Sequence, residues 1–408
     1  MSEMSIKLNL DKYCVEGTAI LVIDTVEKTV PAKGGVRVHP NVTEEEIASL
    51  AAEMTQKCIL AGLPFGGAKG GIRLADMSQL ERAMYGFGRE LSKLDFLPYK
   101  WCAAPDVNTD SVAIDAFIAG CASVKGWRKA RISATGKSSG IPHELGSTAY
   151  GVILSLEKTI EHLGLDIAFP VSRVLVEGIG EVGGNAIKLL IAKGARIAGI
   201  SDITGSLYAS KGLNSAQLLK NLGVKKTVQA MVPDFSDAEY SPKSADLLGR
   251  DADILVLAGP GRSITPEKAE QLKVKIIVEG ANIAYSETEL RKTVNTRGII
   301  SIPGIIANSG GVISSYEEWV LENQDKMEDS MEEKWEIVKA SIDTRITRNI
   351  SDLCSKLTQC NRRKTPLECA LEIASERQQK AREANHNLRN KTKLINSELE
   401  KKYAVFTR

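Results

Sequence analysis

Hydrophobic and polar positions follow two different patterns along the chain, and the pattern changes near residue 171. Before that point, the β-branched stretch 18–26 predicts a strand. Residues 43–63 carry apolar positions at helical spacing after a candidate cap, Thr43, and place three glutamates in the first turn, where the helix dipole favours them. Further helices are predicted over 78–94 and within 101–121, the latter after a loop.

After residue 171, short apolar strands alternate with helical or loop segments. A strand, a tight turn, a helix and a second strand are predicted over 171–202, and further strands over 252–259, 274–282 and 298–304. Alternation of this kind is typical of a mostly parallel sheet with helices on both faces. The sequence therefore predicts an α/β protein, and a length of 408 residues favours two domains.

Composition narrows the classes of function. The formal net charge is only +2 and 43% of residues are hydrophobic, so nothing indicates nucleic-acid binding. No apolar run is long enough to predict a membrane span or a targeting segment. The seven cysteines are scattered and none forms a CxxC pair, so we expect neither a disulfide framework nor a metal site. These features predict a cytoplasmic protein whose cysteines are mostly buried, reduced thiols.

One stretch, LPFGGAKGGIRL at residues 63–74, places a single lysine, Lys69, between two pairs of glycines. The phosphate-binding spacing G-x-x-x-x-G-K-[ST] is absent, because Gly70 follows the lysine where Ser or Thr is required. Two interpretations stay open: a small-molecule site in which the lysine itself does chemistry, and a structural turn.

The segment VLVEGIGEVGG has the G-x-G-x-x-G spacing of dinucleotide-binding proteins. A strand is predicted before it and a helix after it, so the context fits a phosphate-binding turn at a helix N-terminus. Asp202 ends the next predicted strand, where a carboxylate can bind the ribose and favour NAD, although Ser201 and Thr204 leave NADP open. The predicted cofactor-binding residues here are Gly178, Gly180, Glu181, Val182, Gly183 and Asp202.

Together, the segments KGGVRVHP, MTQKCILAGLPFGGAKGGI, APDVNT, STAYGV, VEGIGEVGG, SDITGSLY, VEGAN and ANSGGVISSYEEW resemble the glutamate/leucine/phenylalanine/valine dehydrogenase family, in family order. The resemblance extends from about residue 30 to 320, and TPLECALEIASER resembles the closing helix. It implies an N-terminal substrate domain of residues 1–145, joined by C-terminal helices of about 364–408. It also implies a Rossmann-type NAD(P)-binding domain of residues 146–363, with a cleft between the two. Within the tail, the polar segment from residue 378 is predicted as a solvated helix or a frayed extension.

The resemblance also implies roles for individual residues. Lys69 is the catalytic lysine and Asp106 lies beside the reacting amine, while Lys57 binds the substrate α-carboxylate. The glycines around Lys69 are expected to let substrate and cofactor lie against bare backbone. Lys33 and Ser315 favour glutamate because they match the residues that bind its side-chain carboxylate. The residues implied on the cofactor side are Thr148, Asn282 and Asn308.

For three of these residues the sequence leaves a structural alternative open. Asp106 could instead cap the following helix, Lys57 could occupy a solvated helix face, and Lys33 could close a turn. The chain also differs from the usual family pattern at Glu144, Arg262 and Gly304.

The predicted function is reversible NAD(P)-dependent oxidative deamination of L-glutamate to 2-oxoglutarate and ammonium, in a homo-oligomer that is a hexamer by resemblance. Two alternatives stay open. One is a dehydrogenase of branched-chain or many amino acids, and the other is a catalytically weak nucleotide-binding paralogue with a regulatory role. A pure binding module would have no need for Lys69 and Asp106 together.

Overall fold

The computed structural model describes residues 4–25, 30–142, 145–328, 330–381 and 383. The strands are β1 (Met4–Asn9), β2 (Gly17–Ile23), β3 (Ala32–Lys33), β4 (Val36–His39), β5 (Gly66–Leu74), β6 (Trp101–Cys102), β7 (Arg173–Glu177), β8 (Arg196–Asp202), β9 (Gly205–Tyr208), β10 (Glu239–Ser241), β11 (Ile254–Leu257), β12 (Ile276–Glu279) and β13 (Ile300–Ile302).

The helices are α1 (Glu44–Leu60), α2 (Leu80–Lys93), α3 (Ser111–Lys125), α4 (Trp127–Ala130), α5 (Ser147–Leu163), α6 (Glu181–Ala192), α7 (Ser215–Val224), α8 (Val228–Met231), α9 (Pro266–Gln271), α10 (Leu290–Thr296), α11 (Gly304–Ala307), α12 (Gly310–Asn323), α13 (Met331–Gln359) and α14 (366–381). The strands and helices predicted before residue 320 are present, within a few residues of the predicted bounds.

The N-terminal part of the chain forms a mixed sheet with the order β1-β2-β5-β3-β6, and β4 also pairs with β5. In β2, Ala19 and Leu21 face the core beneath α2 and α3, whereas Ile20 and Val22 face α1. This period of two is what a strand covered on both faces requires. Strand β1 and the long central strand β5 were not predicted.

The glycine-rich stretch forms most of β5, so the turn interpretation is wrong. Its glycines leave room for neighbouring protein. A Cβ on Gly67 would lie 2.2 Å from Thr55 Oγ1 of α1, one on Gly71 would lie 2.5 Å from Ile47, and one on Gly70 would lie 2.6 Å from the Trp101 ring. The expectation that substrate and cofactor lie against these glycines is therefore wrong at all three positions, because protein atoms fill that space.

The second sheet has the order β10-β9-β8-β7-β11-β12-β13. Five neighbouring strands in it are parallel to one another: β8, β7, β11, β12 and β13. Strands β9 and β10 add an antiparallel edge that was not predicted. Val174 and Val176 of β7 pack into one core and Leu175 into another, so both faces are covered by apolar contacts. The prediction of two domains, one with a mostly parallel sheet, is confirmed.

The C-terminal helices return to the first part of the chain. Helix α13 packs against α5, and α14 contributes Cys369 and Ile373 to the same core. Arg345 of α13 donates to the carbonyls of Ala61 and Gly62, and Arg377 of α14 donates to the carbonyl of Leu60. These contacts satisfy the last carbonyls of α1. The exact domain bounds stay a prediction, and Glu144 and the tail beyond residue 383 lie outside the described residues.

Within the described segments, no helix combines the length and the apolar character that a membrane crossing needs.

Candidate active site

A cavity of about 330 Å³ lies between the two sheets. Strands β3 and β5, helix α1 and the loop after β6 supply its first wall, and the start of α6, the loop after β12, α5 and α12 supply the opposite wall. Ten of the predicted site residues line it: Lys33, Lys57, Lys69, Asp106, Thr148, Glu181, Val182, Asn282, Asn308 and Ser315. Residues almost 300 positions apart in the sequence therefore meet in one site.

Lys69 and Asp106 form the centre of this cavity. Alternation along β5 places Lys69 on the face covered by α1, and its Nζ lies 3.1 Å from Asp106 Oδ1. Arg37 of β4 donates from Nε to Asp106 Oδ2 over 2.9 Å, and its Nη1 lies 2.6 Å from Glu46 of α1. Asp106 does not cap the following helix, because Asp110 does so by accepting from Ala113 N. That alternative is wrong.

The electrostatics of the pair follow from burial and neighbouring charge. Burial lowers the pKa of Lys69 from its usual value, and the nearby charges of Arg37 and Lys57 lower it further against the opposing effect of Asp106. Burial alone would raise the pKa of Asp106, but the charges of Lys69 and Arg37 outweigh it and bring the pKa to about 2. Asp106 is therefore ionised at neutral pH, beside an amine that loses its proton more easily than an exposed lysine.

Lys57 connects the two halves of the molecule. Thr43 caps α1 by accepting from Glu46 N, and Lys57 lies in the last turn of this helix. Only 6% of Lys57 is exposed, so the solvated-face alternative is wrong. Its Nζ lies 2.8 Å from Glu53 and donates to Asn282 Oδ1, which follows β12, over 2.7 Å. A bound carboxylate here would meet an ammonium group that the protein already holds in place.

Lys33 is buried at the end of β3, with 1% of its surface exposed. Its Nζ donates to Ala103 O and Thr135 Oγ1, each over 2.7 Å, and to Cys102 O over 3.4 Å. Burial lowers its pKa. Lys33 therefore lies within a strand, and its side chain links β3 to two other segments. The alternative that Lys33 merely closes a turn is wrong.

Ser315 lies on α12, lines the same cavity as Lys33, and is 5% exposed. One turn further along α12, Glu318 accepts from Gly136 N, Ile141 N and Lys137 Nζ. Lys137 also lies 3.0 Å from Glu322. These buried charges hold α12 against the segment 136–141 and thereby fix the position of Ser315.

The glycine fingerprint has the geometry that a dinucleotide requires. Gly178 has a φ of +86°, which favours glycine, and a Cβ on Gly183 would lie 1.8 Å from Gly178 O. In contrast, among the described residues no heavy atom lies within 4 Å of the position for a Cβ on Gly180. Gly180 precedes α6, whose first N–H groups face this open space. The loop therefore leaves room for a pyrophosphate at a helix N-terminus.

Two asparagines, Asn282 and Asn308, line the cavity on the side of the second sheet. The side-chain N–H group of Asn308 donates to the carbonyls of Gly280 and Ala281, each over 3.2 Å. Its side-chain oxygen is buried and finds no hydrogen-bond donor among the described residues. A buried acceptor of this kind is costly unless a ligand supplies a donor. The carboxamide of a nicotinamide carries such a donor, so Asn308 fits the cofactor.

Asp202 lies at the carboxyl end of β8, next to Gly178, whose N–H donates to Ser201 O. Its carboxylate accepts from Thr204 N and Oγ1 and from Val228 N. An ionised carboxylate has about four acceptor positions, so one remains for a ribose hydroxyl. Thr204 is engaged by Asp202 and is not presented as a partner for a 2′-phosphate.

Two of the residues that differ from the usual family pattern, Arg262 and Gly304, lie among the described residues. Arg262 is exposed, has a φ of +58°, and its N–H donates to Ile283 O. Gly304 begins α11, where a Cβ would lie 2.8 Å from Ala281 O. Its N–H instead donates to the buried carboxylate of Glu279, which is also paired with Arg291. The carboxylate of Glu279 in β12 therefore accepts from the first N–H group of α11, where the family usually has an aspartate at the position of Gly304.

Sequence reasoning missed two residues of the site, Arg37 and Thr135. Arg37 follows Lys33 by four positions in a recognised segment, but its role depends on the pairing of β4 with β5, which no local pattern reveals. Thr135 reaches Lys33 from 102 positions away. Among the described residues, no group of three or more His, Cys, Asp and Glu side chains is placed to hold a metal ion.

Comparison with known proteins identifies the family. Residues 3–121 match the model of the Glu/Leu/Phe/Val dehydrogenase dimerisation domain, and residues 139–386 match that of glutamate/leucine/phenylalanine/valine dehydrogenase. The catabolic NAD-specific glutamate dehydrogenase RocG of Bacillus subtilis is 36% identical over 72% of this chain and 68% of its own length. An NAD-specific glutamate dehydrogenase of Staphylococcus aureus is 35% identical over 72% of this chain and 70% of its own length.

Solved structures share the fold. The hetero-hexameric glutamate dehydrogenase of Thermus thermophilus, in its Leu-bound form, has a TM-score of 0.75 and 26% identity, covering 92% of this chain and 88% of its own. The glutamate dehydrogenase of Peptoniphilus asaccharolyticus has a TM-score of 0.72 and 25% identity, covering 92% and 89%. With the family models matching most of its length, this chain belongs to the glutamate/leucine/phenylalanine/valine dehydrogenase family.

Proposed function

We propose that this protein catalyses the reversible NAD-dependent oxidative deamination of L-glutamate to 2-oxoglutarate and ammonium. The observation that carries the proposal is the buried pair of Lys69 Nζ and Asp106 Oδ1, 3.1 Å apart, in the cavity that the helix after the glycine fingerprint also lines. The relatives named NAD-specific glutamate dehydrogenases support both substrate and cofactor. The carboxylate of Asp202 supports NAD over NADP.

The substrate is held by its two carboxylates. Lys57 takes the α-carboxylate, and Lys33 and Ser315 take the side-chain carboxylate. An ammonium group has three donors, and Lys33 directs two of them at acceptors 2.7 Å away. The third points at Cys102 O over 3.4 Å, a long contact that a carboxylate oxygen would replace.

When bound beside Asn308, NAD would supply the acceptor for the hydride that leaves the substrate Cα. Neutral Lys69 then takes a proton from the water that attacks the resulting imine, which is the task that its lowered pKa suits. Asp106 takes a proton from the substrate ammonium before the oxidation and returns it to the departing ammonia. Because the charge of Lys69 is a main cause of the low pKa of Asp106, a neutral Lys69 makes Asp106 a better proton acceptor.

A dehydrogenase of aliphatic or many amino acids is the second candidate function. The observation that favours it is that the Lys33 ammonium group already donates hydrogen bonds to Ala103 O and Thr135 Oγ1. In that case Lys33 would stiffen the pocket floor, and the substrate side chain would be apolar.

The proposal extends to the oligomeric state, the cellular location and the domain division of the protein. We propose a homo-oligomer, a hexamer by the example of the Thermus thermophilus structure, and a cytoplasmic location. The proposed division is at residues 145 and 363, and the joining of the C-terminal helices to the substrate domain is supported by the contact of Arg377 on α14 with Leu60 O at the end of α1.

One assay tests the function. The purified protein is supplied with L-glutamate, L-leucine, L-valine or L-phenylalanine, and with NAD or NADP, while the absorbance of the reduced cofactor is followed. We expect glutamate with NAD to give the highest kcat/KM. A higher value for an aliphatic substrate would select the second candidate. No activity with any substrate, in a protein that still binds reduced cofactor, would favour a regulatory paralogue.

A further inference from the structure

The last turn of α1 carries Lys57 and ends in three carbonyl groups that lack backbone donors. In a continuing helix, the carbonyl of Leu60 would accept from the N–H group four residues later, but that residue is Pro64, which has none. Among the described residues, no backbone N–H group donates to the carbonyl of Leu60, Ala61 or Gly62. The end of α1 therefore needs donors from elsewhere in the molecule.

Two arginines of the C-terminal helices supply these donors. Arg345 of α13 donates from Nη1 to Ala61 O over 2.6 Å and to Gly62 O over 3.0 Å. Arg377 of α14 donates from Nη1 to Leu60 O, 317 positions away in the sequence. A guanidinium group suits this place, because it carries five donors and because a positive charge is favoured at the C-terminus of a helix.

Both guanidinium groups are themselves held by α13. Arg377 donates from Nη1 to Asn349 Oδ1 and from Nη2 to Asp352 Oδ2, each over 2.7 Å. The Nε of Arg345 donates to Ser341 Oγ over 3.1 Å. The two arginines are therefore directed at the end of α1 by fixed partners, as a mobile surface arginine would not be.

The position of this turn decides where Lys57 places its ammonium group. The carbonyl of Lys57 accepts from Ala61 N over 2.9 Å, so its backbone is part of the turn that the arginines hold. Its Nζ lies 2.8 Å from Glu53 and 2.7 Å from Asn282 Oδ1. An ammonium group has three donors, so one remains for a substrate carboxylate. Helix ends fray unless they are held, and fraying here would misdirect that donor.

We propose that Arg345 and Arg377 are positioning residues for the subsite that binds the substrate α-carboxylate. They hold the last turn of α1, and this turn holds the ammonium group of Lys57 in the cavity. Neither arginine lines that cavity, and the inference rests on the proposed role of Lys57. Because every amino-acid substrate has an α-carboxylate, the arginines should affect all substrates equally, in contrast to Lys33.

The test measures the steady-state kinetics of Arg377→Ala with glutamate and with norvaline. Displacing a substrate-binding group by about 1 Å costs up to ~10², and a frayed turn displaces Lys57 for part of the time. We therefore expect KM to rise by about 5–50-fold for both substrates, while kcat stays within about twofold. The affinity for NADH, followed by fluorescence titration, should be unchanged. A merely structural role would lower the melting temperature and the fraction of active enzyme without moving KM.

Two further variants show whether the arginine acts through its contact with α1. Arg377→Lys keeps a positive charge and a donor at the helix end, so KM should return to within about threefold of the unmodified value. Lys356→Ala is the matched control, because Lys356 of α13 pairs with Glu376 of α14 over 2.7 Å, next to Arg377 in the sequence. This ion pair involves no atom of α1, and its loss should leave KM unchanged.

A double-mutant cycle separates action through Lys57 from a general loosening of the fold. In the Lys57→Ala protein, adding Arg377→Ala should change kcat/KM by less than about twofold, because the group that the arginine positions is gone. Arg345→Ala removes donors supplied by the other helix and should raise KM in the same way, even if Arg377→Ala does not fold. Unchanged KM in the folded arginine variants, or an equal loss with and without Lys57, would overturn the inference. An unmodified protein that turns over no amino acid would overturn the proposed function, and this inference with it.

Discussion

Replacing Lys33 with leucine tests the basis of substrate choice. Lys33→Leu removes the only group in the proposal that neutralises the side-chain carboxylate of glutamate, and it does so in a pocket where Lys33 is 1% exposed. Leucine is similar in length to the inner part of lysine and apolar, so it favours an aliphatic substrate side chain. The substitution should therefore change the ratio of kcat/KM values for glutamate and norvaline.

The expected loss of kcat/KM follows from the side-chain carboxylate of glutamate, which has no cation to bind in Lys33→Leu. A site that hydrogen-bonds a substrate group discriminates by roughly 10⁴ against a mismatch, which is about 5 kcal/mol of transition-state binding. We therefore expect kcat/KM for glutamate to fall by about 10³–10⁴, while norvaline changes little or improves. The free energy of unfolding should change less than the transition-state binding of glutamate. The lost hydrogen bonds to Ala103 and Thr135 cost about 1–3 kcal/mol, and this is offset because a buried charge is removed.

The assay compares initial rates with glutamate and norvaline for both proteins, with circular dichroism and thermal unfolding as checks on the fold. Lys275→Leu is the matched control, because Lys275 forms an ion pair with Asp253 at an exposed site and lies outside the cavity. It should leave both rates unchanged. A ratio that does not move in folded Lys33→Leu would refute the role of Lys33 in glutamate binding.

Three further outcomes are expected. Gly180→Val should fold normally and weaken NADH binding, followed by fluorescence titration, by about tenfold or more, whereas Gly183→Val should fail to fold stably because its Cβ meets backbone. In Asp106→Asn, the pKa of Lys69 should fall further, because Asp106 raises it; the acid limb of the pH profile of the residual kcat should move to lower pH, and movement to higher pH would contradict this. Lys137→Met should lower the free energy of unfolding in urea by about 3–5 kcal/mol, because the buried carboxylate of Glu318 loses its cation, while Glu322 keeps its ion pair with Arg131.

The sequence predicted those parts of the fold that depend on local patterns. The strand before Gly178 and the helix after it follow from periodicity and glycine spacing, and the structure has both. The α1 cap at Thr43 was predictable for the same reason, since the cap and the glutamates lie within one turn.

Features that depend on tertiary contact were missed or left open. A nine-residue strand with four glycines contradicts strand propensity, and β5 exists because α1 and the Trp101 ring fill the space that side chains would occupy. Sequence alone could not choose between Asp106 and Asp110 as the cap of α3, because both precede the helix.

Within the site, residue types were predictable and their partners were not. Lys33, Lys57 and Lys69 were identified through the family resemblance. That Lys57 reaches Asn282 across the cavity, and that Lys33 is shared by Ala103 and Thr135, follows only from the packing of distant segments. The role of Arg37 in holding Asp106 has the same origin.

The central claim is that Lys69 performs acid–base catalysis beside Asp106, and the turnover of Lys69→Ala with glutamate tests it most directly. Lys275→Ala breaks an ion pair of the same length, 3.1 Å, at the surface and serves as the control. We predict that turnover of Lys69→Ala falls by about 10²–10⁴ while its affinity for NADH and the turnover of Lys275→Ala are unchanged. Turnover of Lys69→Ala equal to that of the unmodified protein would contradict the mechanism.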